Sequence, residues 1–589
     1  MLKIRLPPNW NLVILVRKEK FPCERILMKK SGNLSRRKWL EQMSAPPIAV
    51  ALGATMLRQN NVAAKQPSHV TFDDKNLGAR VYNVRDFGAV GDGVTLDTTA
   101  VQAAIDACNR DRGGTVLLPA GDFVVGTLEL KTNVTLHVAA QGRLLGSSNI
   151  QHYKAGNGIP PGNGNVVLLS AANAENITIE GPGTIDGNGV KFFTGKGDMT
   201  GPGQNSAQGY FQRPHLLIFY RCKNLVVKDV FLTASAYHCT RILQCSRVRL
   251  DGVRIYNRVN LNNDGFHINS SEYVHIVNCD VTCQDDACAL FGSNKFVTVT
   301  NCTFSTRWSI FRFGGGEAEN ITISNCVIYD TYGCPIKMHC GARGRLENIT
   351  FANLIMKNVT GPISIGLDST RRGGATANTP PVKGIVRNIA FNGIRATVVA
   401  EGRQHEDLKW PQKFRPGETR SCIVLNGVGS DFLEGISFQD VHVSYEGGGT
   451  AEESVAEVPN LAGEYFEIGT PPAYGIYARN VRGLTLNNVR LEVTKPDLRP
   501  AVIFDHVVDS TVNGLSAQGT LQAESLLRFN DTRDVLLAAS RVLTPAAVFL
   551  KLEGVANEGI TIDGGVLSKA SKPLAFSRGA TERAVKLRG

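Results

Sequence analysis

One short phrase recurs along this chain from about residue 170 onward: an Asn or Gly, three residues that alternate apolar, polar, apolar, and then a polar turn. It reads Asn176-Ile177-Thr178-Ile179, Asn224-Leu225-Val226-Val227, Asn320-Ile321-Thr322-Ile323 and Asn348-Ile349-Thr350-Phe351. Weaker copies are Val274-His275-Ile276, Val297-Thr298-Val299, Asn388-Ile389-Ala390-Phe391, Gly435-Ile436-Ser437-Phe438 and Gly483-Leu484-Thr485-Leu486. The first apolar residues at 225, 248, 274, 297, 321 and 349 are separated by 23, 26, 23, 24 and 28 residues, and later copies stand at roughly twice that spacing. Alternation with period two over so few residues specifies a strand. Strands that return every two dozen residues without intervening helices cannot build a barrel of alternating strands and helices or a doubly wound sheet. They suit a solenoid in which each coil buries one apolar face and stacks on the next at about 4.8 Å. The expected fold is all-β: a single-stranded right-handed parallel β-helix.

The pairs Asn278-Cys279, Asn301-Cys302 and Asn325-Cys326 then fall in register. They suggest an asparagine ladder at a turn with cysteine as small inward packing, or alternatively a disulfide ladder. The 13 cysteines have neither zinc spacing nor the density of a disulfide scaffold. Asp97 to Cys108 reads as a helix, with Asp97 at the N-cap and Val101, Ala104, Ile105 and Cys108 on one stripe. It is expected to cap the open N-terminal end of the solenoid, in a cap spanning about 80–115. Segments 365–385, 401–420 and 446–474 break the period and are rich in Gly, Pro and charge, as long loops would be. Residues 65–589 are expected to form one domain.

The net charge of +12 is mostly local: residues 1–64 hold 12 Lys+Arg against 3 Asp+Glu. What remains gives no reason to expect a nucleic-acid partner. Ser35-Arg36-Arg37-Lys38-Trp39-Leu40 resembles a twin-arginine export signal. The apolar stretch from Ala45 to Leu57 is too short and weak to span a membrane. Val62-Ala63-Ala64 offers small residues for cleavage, and Met28-Lys29-Lys30 would begin a leader of ordinary length. Residues 1–64 are thus expected to be an extension and signal peptide, and the mature protein a periplasmic or secreted monomer.

Two acidic turns lie mid-chain, Asn262-Asn263-Asp264-Gly265 and Gln284-Asp285-Asp286. Each alone is an ordinary turn sequence. Asp264 precedes Asp285 and Asp286 by 21 and 22 residues, about one coil, so the three carboxylates are expected on adjacent rungs. Crowded carboxylates raise at least one pKa, leaving one acid protonated beside an ionised neighbour. Such a pair can serve glycoside hydrolysis. A further 21 or 22 residues reaches Arg307 and Trp308, expected in the same stack, and beyond them stand Lys337 and His339.

At these residues the chain resembles glycoside hydrolase family 28, the polygalacturonases and rhamnogalacturonan hydrolases. The likeness spans most of residues 80–515. It includes Phe87 to Gly93, Gly113 to Val116 with Pro119-Ala120-Gly121, Gly181 to Gly187, Arg213-Pro214, Asn262 to Gly265 and Asp285-Asp286. The resemblance implies catalytic roles for Asp264, Asp285 and Asp286, with Lys337 on the substrate; Asn262, Arg307 and Arg312 are also expected on the substrate, and no metal or cofactor is expected. It further implies inversion, with Asp285 as general acid and Asp264 plus Asp286 handling the water. The family pattern has Gly-His-Gly where this chain has Thr306-Arg307-Trp308, and Arg-Ile-Lys where it has Pro335-Ile336-Lys337. The family's histidine and arginine are therefore absent; Arg307 or Arg312 would restore a cation for a uronate, unless both are solvated surface.

The expected substrate is a pectin-like acidic polysaccharide or its oligosaccharides. Two other functions fit the same residues. One is a polysaccharide lyase on this fold, with the aspartates as a Ca²⁺ site. The other is a non-catalytic carbohydrate-binding β-helix.

Overall fold

The computed structural model describes residues 2–5, 11–14, 78–160, 166–192, 213–370, 382–408, 412 and 414–588. The chain separates into residues 1–73 and 74–589. In the first unit an antiparallel pair, Leu2–Arg5 with Asn11–Ile14, is described. The twin-arginine motif and the apolar stretch after it lie outside the described residues. Among the described residues, no helix is long and apolar enough to cross a membrane.

From residue 78 onward the second unit is a right-handed parallel β-helix. One long sheet runs through Val166–Ala172, His215–Tyr220, Thr240–Leu243, Phe266–Asn269, Cys288–Phe291, Phe311–Gly314, Ile336–Gly341 and Ile363–Asp368, and continues to Ala570–Ser577. Its register is parallel and unbroken through the middle coils: Thr240↔Phe266↔Cys288↔Phe311↔Ile336↔Ile363. The recurring phrases fall in a second, larger sheet, where Leu225, Val248, Val274, Val297, Ile321 and Ile349 are successive partners.

Alternation decides what faces inward. Phe266 and Ile268, Phe311 and Phe313, and Ile336 and Met338 are buried, while His267, Arg312 and Lys337 between them point away from the core. Identical side chains then stack along the axis. The rings of Phe351, Phe391 and Phe438 lie face to face, with centroids 5.0 and 4.8 Å apart.

An asparagine ladder is present, but not at the Asn-Cys pairs where the sequence suggests it: the Asn278 amide donates to Asp251 and the Asn325 amide to Thr300 Oγ1, so Asn278, Asn301 and Asn325 are not bonded to one another rung to rung. Asn176, Asn224, Asn320, Asn348 and Asn388 all take positive φ, and their side-chain amides are hydrogen bonded rung to rung: Asn224 to Asn176 at 2.9 Å, Asn348 to Asn320 at 3.1 Å, Asn388 to Asn348 at 2.6 Å. Asparagine suits both tasks, because it tolerates the left-handed region and carries a donor and an acceptor on one short side chain. The cysteines among the described residues are buried free thiols, which answers the disulfide alternative.

The helix Thr98–Arg110 buries Val101, Ala104, Ile105 and Cys108, as its sequence requires, together with Ala107. Asp97 occupies the N-cap position but makes no capping bond. Its carboxylate instead accepts from the backbone N–H groups of Val90 and Gly91 at 2.7 and 2.9 Å, pinning the preceding glycine loop. The cap is also sewn into the larger sheet, since Val81–Asn83 pairs with Gly114–Leu118.

Two expected loops need correction. Residues 365–368 belong to the strand Ile363–Asp368, whose apolar residues complete a coil. The 446–474 segment carries two short helices, Ala451–Ser454 and Tyr465–Ile468. Among its described residues the 401–420 segment holds a single 3-10 turn, Pro416–Glu418.

Candidate active site

Asp264 and Asp286 sit at equivalent places on consecutive coils, each two residues before its strand. The Gly265 N–H donates to the Asp286 carbonyl (2.9 Å) and the Ala287 N–H to the Ser309 carbonyl (2.8 Å). The Asp-Gly pair has a packing reason here: a Cβ on Gly265 would stand 2.4 Å from the Ala287 carbonyl oxygen. The next step is 23 residues, Cys288 to Phe311. Ser309, and not Arg307, therefore lies over Asp286, and its hydroxyl donates to Asp286 Oδ1 in a short hydrogen bond. The expectation that Arg307 continues the carboxylate stack fails because this coil is longer than the last; the same 23-residue step sets Trp308 at the position of Asp285.

Asp285 is buried beside Asp286, whose N–H donates to Asp285 Oδ1 at 2.9 Å. Its other oxygen accepts from Asn262 Nδ2 at 3.3 Å, and Asn262 in turn accepts from Arg213 Nη2 at 3.0 Å. Asn263 is fully buried and entirely structural. It accepts from the N–H groups of Val259 and Asn260 and donates to the carbonyls of Ser235 and Tyr237, fixing the turn that presents Asp264.

Burial, reinforced by the charge of Asp286, raises Asp264 well above the usual carboxylate range. Asp285 is raised likewise, by burial first and then by the charges of Asp264 and Asp286. Two histidines face Asp264. His267 Nδ1 shares a 2.9 Å hydrogen bond with Oδ2, and His238 Nε2 lies 3.8 Å from Oδ1. The two imidazoles stack at 4.7 Å. Burial keeps both neutral, pushing His267 down to about 3 and His238 well below its ordinary value. His238, Asp264 and His267 are also the one grouping of ligand atoms among the described residues close enough together to hold a metal ion. Two imidazoles and one carboxylate suit a transition metal better than Ca²⁺.

The expected substrate cations are each ion-paired within the protein. Arg312 spans the site, with Nη1 3.6 Å from Asp286 Oδ2 and Nη2 3.0 Å from Glu464 Oε1. Lys337 is 1% exposed and ion-paired to the other oxygen of Glu464, while its ammonium rests 4.4 Å from the centre of the Trp308 ring. Arg307 is buried against Phe414 and Trp308 and paired with Glu418 at 3.2 Å. The surface alternative thus fails for Arg307, while Arg312 is ion-paired but partly exposed.

Sequence reasoning gave no role to His238, His267, Ser309, Glu418 or Glu464. His267 was reachable, since alternation from Phe266 turns it toward the aspartates. Glu418 and Glu464 arrive on aperiodic loops and leave no signal in the repeat.

The profile of glycosyl hydrolases family 28 matches residues 108–409, a span that holds all three aspartates. This chain belongs to that family. It is 27% identical over 304 residues to polygalacturonase-2 of Solanum lycopersicum, covering 50% of this chain and 63% of that one. It is 26% identical over 376 residues to the exo-poly-alpha-D-galacturonosidase of Dickeya chrysanthemi, covering 54% and 62%. In both cases this chain spans less than two thirds of the relative. The fold is similar to that of the hyperthermoactive exopolygalacturonase from Thermotoga maritima (TM-score 0.54, 20% identity, 70% of this chain and 92% of that one). It is also similar to the family 28 exopolygalacturonase of Yersinia enterocolitica (TM-score 0.51, 22% identity, 74% and 75%). Glu418 and Glu464 lie beyond the family 28 match.

Proposed function

We propose that this family 28 protein is an exported glycoside hydrolase that cleaves pectin-like polysaccharides or their oligosaccharides with inversion of configuration. The observation that carries the reading is the clustering of Asp264, Asp285 and Asp286 on neighbouring coils, with Asp285 buried and raised. Asp285, carrying its proton, donates it to the glycosidic oxygen as the bond to the anomeric carbon breaks. Water attacks that carbon from the opposite face, and Asp264 with Asp286 orients it and takes its proton. The neutral His267 hydrogen bonds to Asp264, with His238 stacked against its ring, while Ser309 and Arg312 hold Asp286. The names of the relatives, polygalacturonases and an exo-galacturonosidase, support a pectic substrate.

The test is incubation of the mature protein with pectic polysaccharides and oligosaccharides, read for new reducing ends, ultraviolet absorbance and the anomer first formed. Reducing ends without absorbance, with the inverted anomer appearing first, are expected. An unsaturated, absorbing product would mean a lyase. Saccharide binding without cleavage would mean a binding module.

The leader carries the export reading. A reporter fused behind residues 1–64 is expected to leave the bacterial cytoplasm, and the double substitution Arg36→Lys with Arg37→Lys is expected to retain it.

A further inference from the structure

We propose that Glu464 neutralises the cations beside the catalytic carboxylates, so that the sugar seated beside Glu464 and Trp308 is an uncharged glycosyl unit and not a free uronate. The inference rests on the hydrolase reading above and names the substrate class at that position. Uncharged units have two sources, neutral sugars and methyl-esterified uronates, and the chemistry they share is hydroxyl and ester groups without a negative charge.

Three basic residues would otherwise invite a carboxylate. Each already has one. Glu464 binds Arg312 through Oε1 (3.0 Å) and Lys337 through Oε2, and Glu418 holds Arg307. Arg312 also leans on Asp286. A uronate entering here would have to displace Glu464 or place a second carboxylate beside it, where like charges in a poorly solvated pocket repel. Lys337 and Arg312 hold the Glu464 carboxyl down at about 2, so it carries its charge at any pH where a pectic enzyme would work.

Displacement is opposed by the way Glu464 is mounted. Its backbone N–H donates to Glu467 Oε2 at 2.7 Å, closing the short turn that follows. The next residue, Tyr465, is 2% exposed, and its hydroxyl donates toward the carbonyls of Ile363 and Cys422 at 3.0 and 2.9 Å. Two glycines make room for it: a Cβ on Gly361 would lie 2.4 Å from the Tyr465 ring, and one on Gly417 would overlap the Tyr465 carbonyl. The segment is seated in a fitted slot on two coils of the solenoid. What remains for a ligand is the Trp308 ring, packed beside Phe466 at 6.1 Å, a flat apolar surface suited to a sugar face.

The experiment compares three oligosaccharide series of equal length: free oligogalacturonides, their methyl esters, and oligomers with neutral sugars alternating with uronate. Each is measured for kcat/KM and, through tryptophan fluorescence, for binding. The wild-type protein is expected to prefer one or both of the uncharged-unit series over the free uronate by tenfold or more; which series wins identifies the source. Glu464→Gln is expected to raise the ratio of kcat/KM for free oligogalacturonides to that for the uncharged series tenfold or more. Equal or better use of free uronate by the wild type overturns the inference, and this arm needs no variant to fold. A folded Glu464→Gln protein with unchanged selectivity overturns it too. If no series is cleaved, the hydrolase reading falls, and the wild-type binding order alone decides the charge preference.

Discussion

Ser309 donates its hydroxyl to Asp286 from the following coil, at the position that the longer step between strands Cys288–Phe291 and Phe311–Gly314 brings over that carboxylate. A hydrogen bond to a charged group is worth about 1.5–3 kcal/mol. If Asp286 must be held to aim water, Ser309→Ala is expected to lower kcat about 10–100-fold, at roughly tenfold per 1.4 kcal/mol. KM should change little, and Ser309→Thr should keep most of the rate. Steady-state kinetics with near-ultraviolet circular dichroism on each variant checks this; an unchanged kcat in folded Ser309→Ala protein removes Ser309 from the machinery.

Asp285→Asn is expected to cost roughly 10²–10⁴-fold in kcat, the usual scale for a positioned proton donor. Glycosides with an activated leaving group need less protonation and should suffer less. Asp264→Asn should damage both substrate types alike, because its place is on the water side. Parallel rates on natural and activated substrates separate the two roles, and near-normal turnover by Asp285→Asn would refute the donor assignment.

Holding Asp285 raised also costs stability. A carboxyl whose folded pKa lies above its unfolded value near 3.9 contributes stability that is fully present below that value and lost as pH rises through the folded pKa. Asparagine escapes that loss and can still accept the 2.9 Å bond from the Asp286 N–H. Asp285→Asn is therefore expected to melt higher than wild type at pH 8, with the gap closing toward pH 4. Calorimetry across that range reads it, and a gap that widens in acid would contradict the burial argument.

Gly265→Ala tests the close approach beneath Asp264. With the new methyl 2.4 Å from the Ala287 carbonyl, one backbone segment must shift, at a cost of about 1–3 kcal/mol as overpacking usually has. The expected outcome is a lower melting temperature together with reduced kcat, since the residue displaced carries the carboxylate. A variant that melts and turns over like wild type would show that the coil yields without strain.

Phe391→Ala removes the middle ring of the Phe351–Phe391–Phe438 stack. A buried Phe truncation costs about 3–5 kcal/mol, so denaturant midpoint should fall sharply. The stack is in the core and contributes no group to the carboxylate cluster, so kcat at low temperature should stay near wild type.

The solenoid was readable because its information is local: Asn224-Leu225-Val226-Val227 states a left-handed turn residue and an inward–outward–inward strand within four positions. The Asp264–Asp286 pairing was readable for the same reason, being one coil of ordinary length. Arg307 was misplaced because a single extra residue in the next coil shifts everything after it. Glu418 and Glu464 had no reading at all. Their loops carry no period, and only the closed structure brings them back to Arg307, Arg312 and Lys337.

The strands Ala570–Ser577 and Val585–Arg588 are half-exposed or exposed along most of their length, whereas the strands around the carboxylates are largely buried. In a stack where each coil touches only its neighbours, opening starts among the most exposed strands and travels one rung at a time. Four rungs of the long sheet, Val502–Asp505, Leu527–Asn530, Ala546–Glu553 and Ala570–Ser577, follow the strand after the Glu464 loop. Local opening of Ala570–Ser577 therefore leaves several closed rungs between it and those that hold the carboxylates.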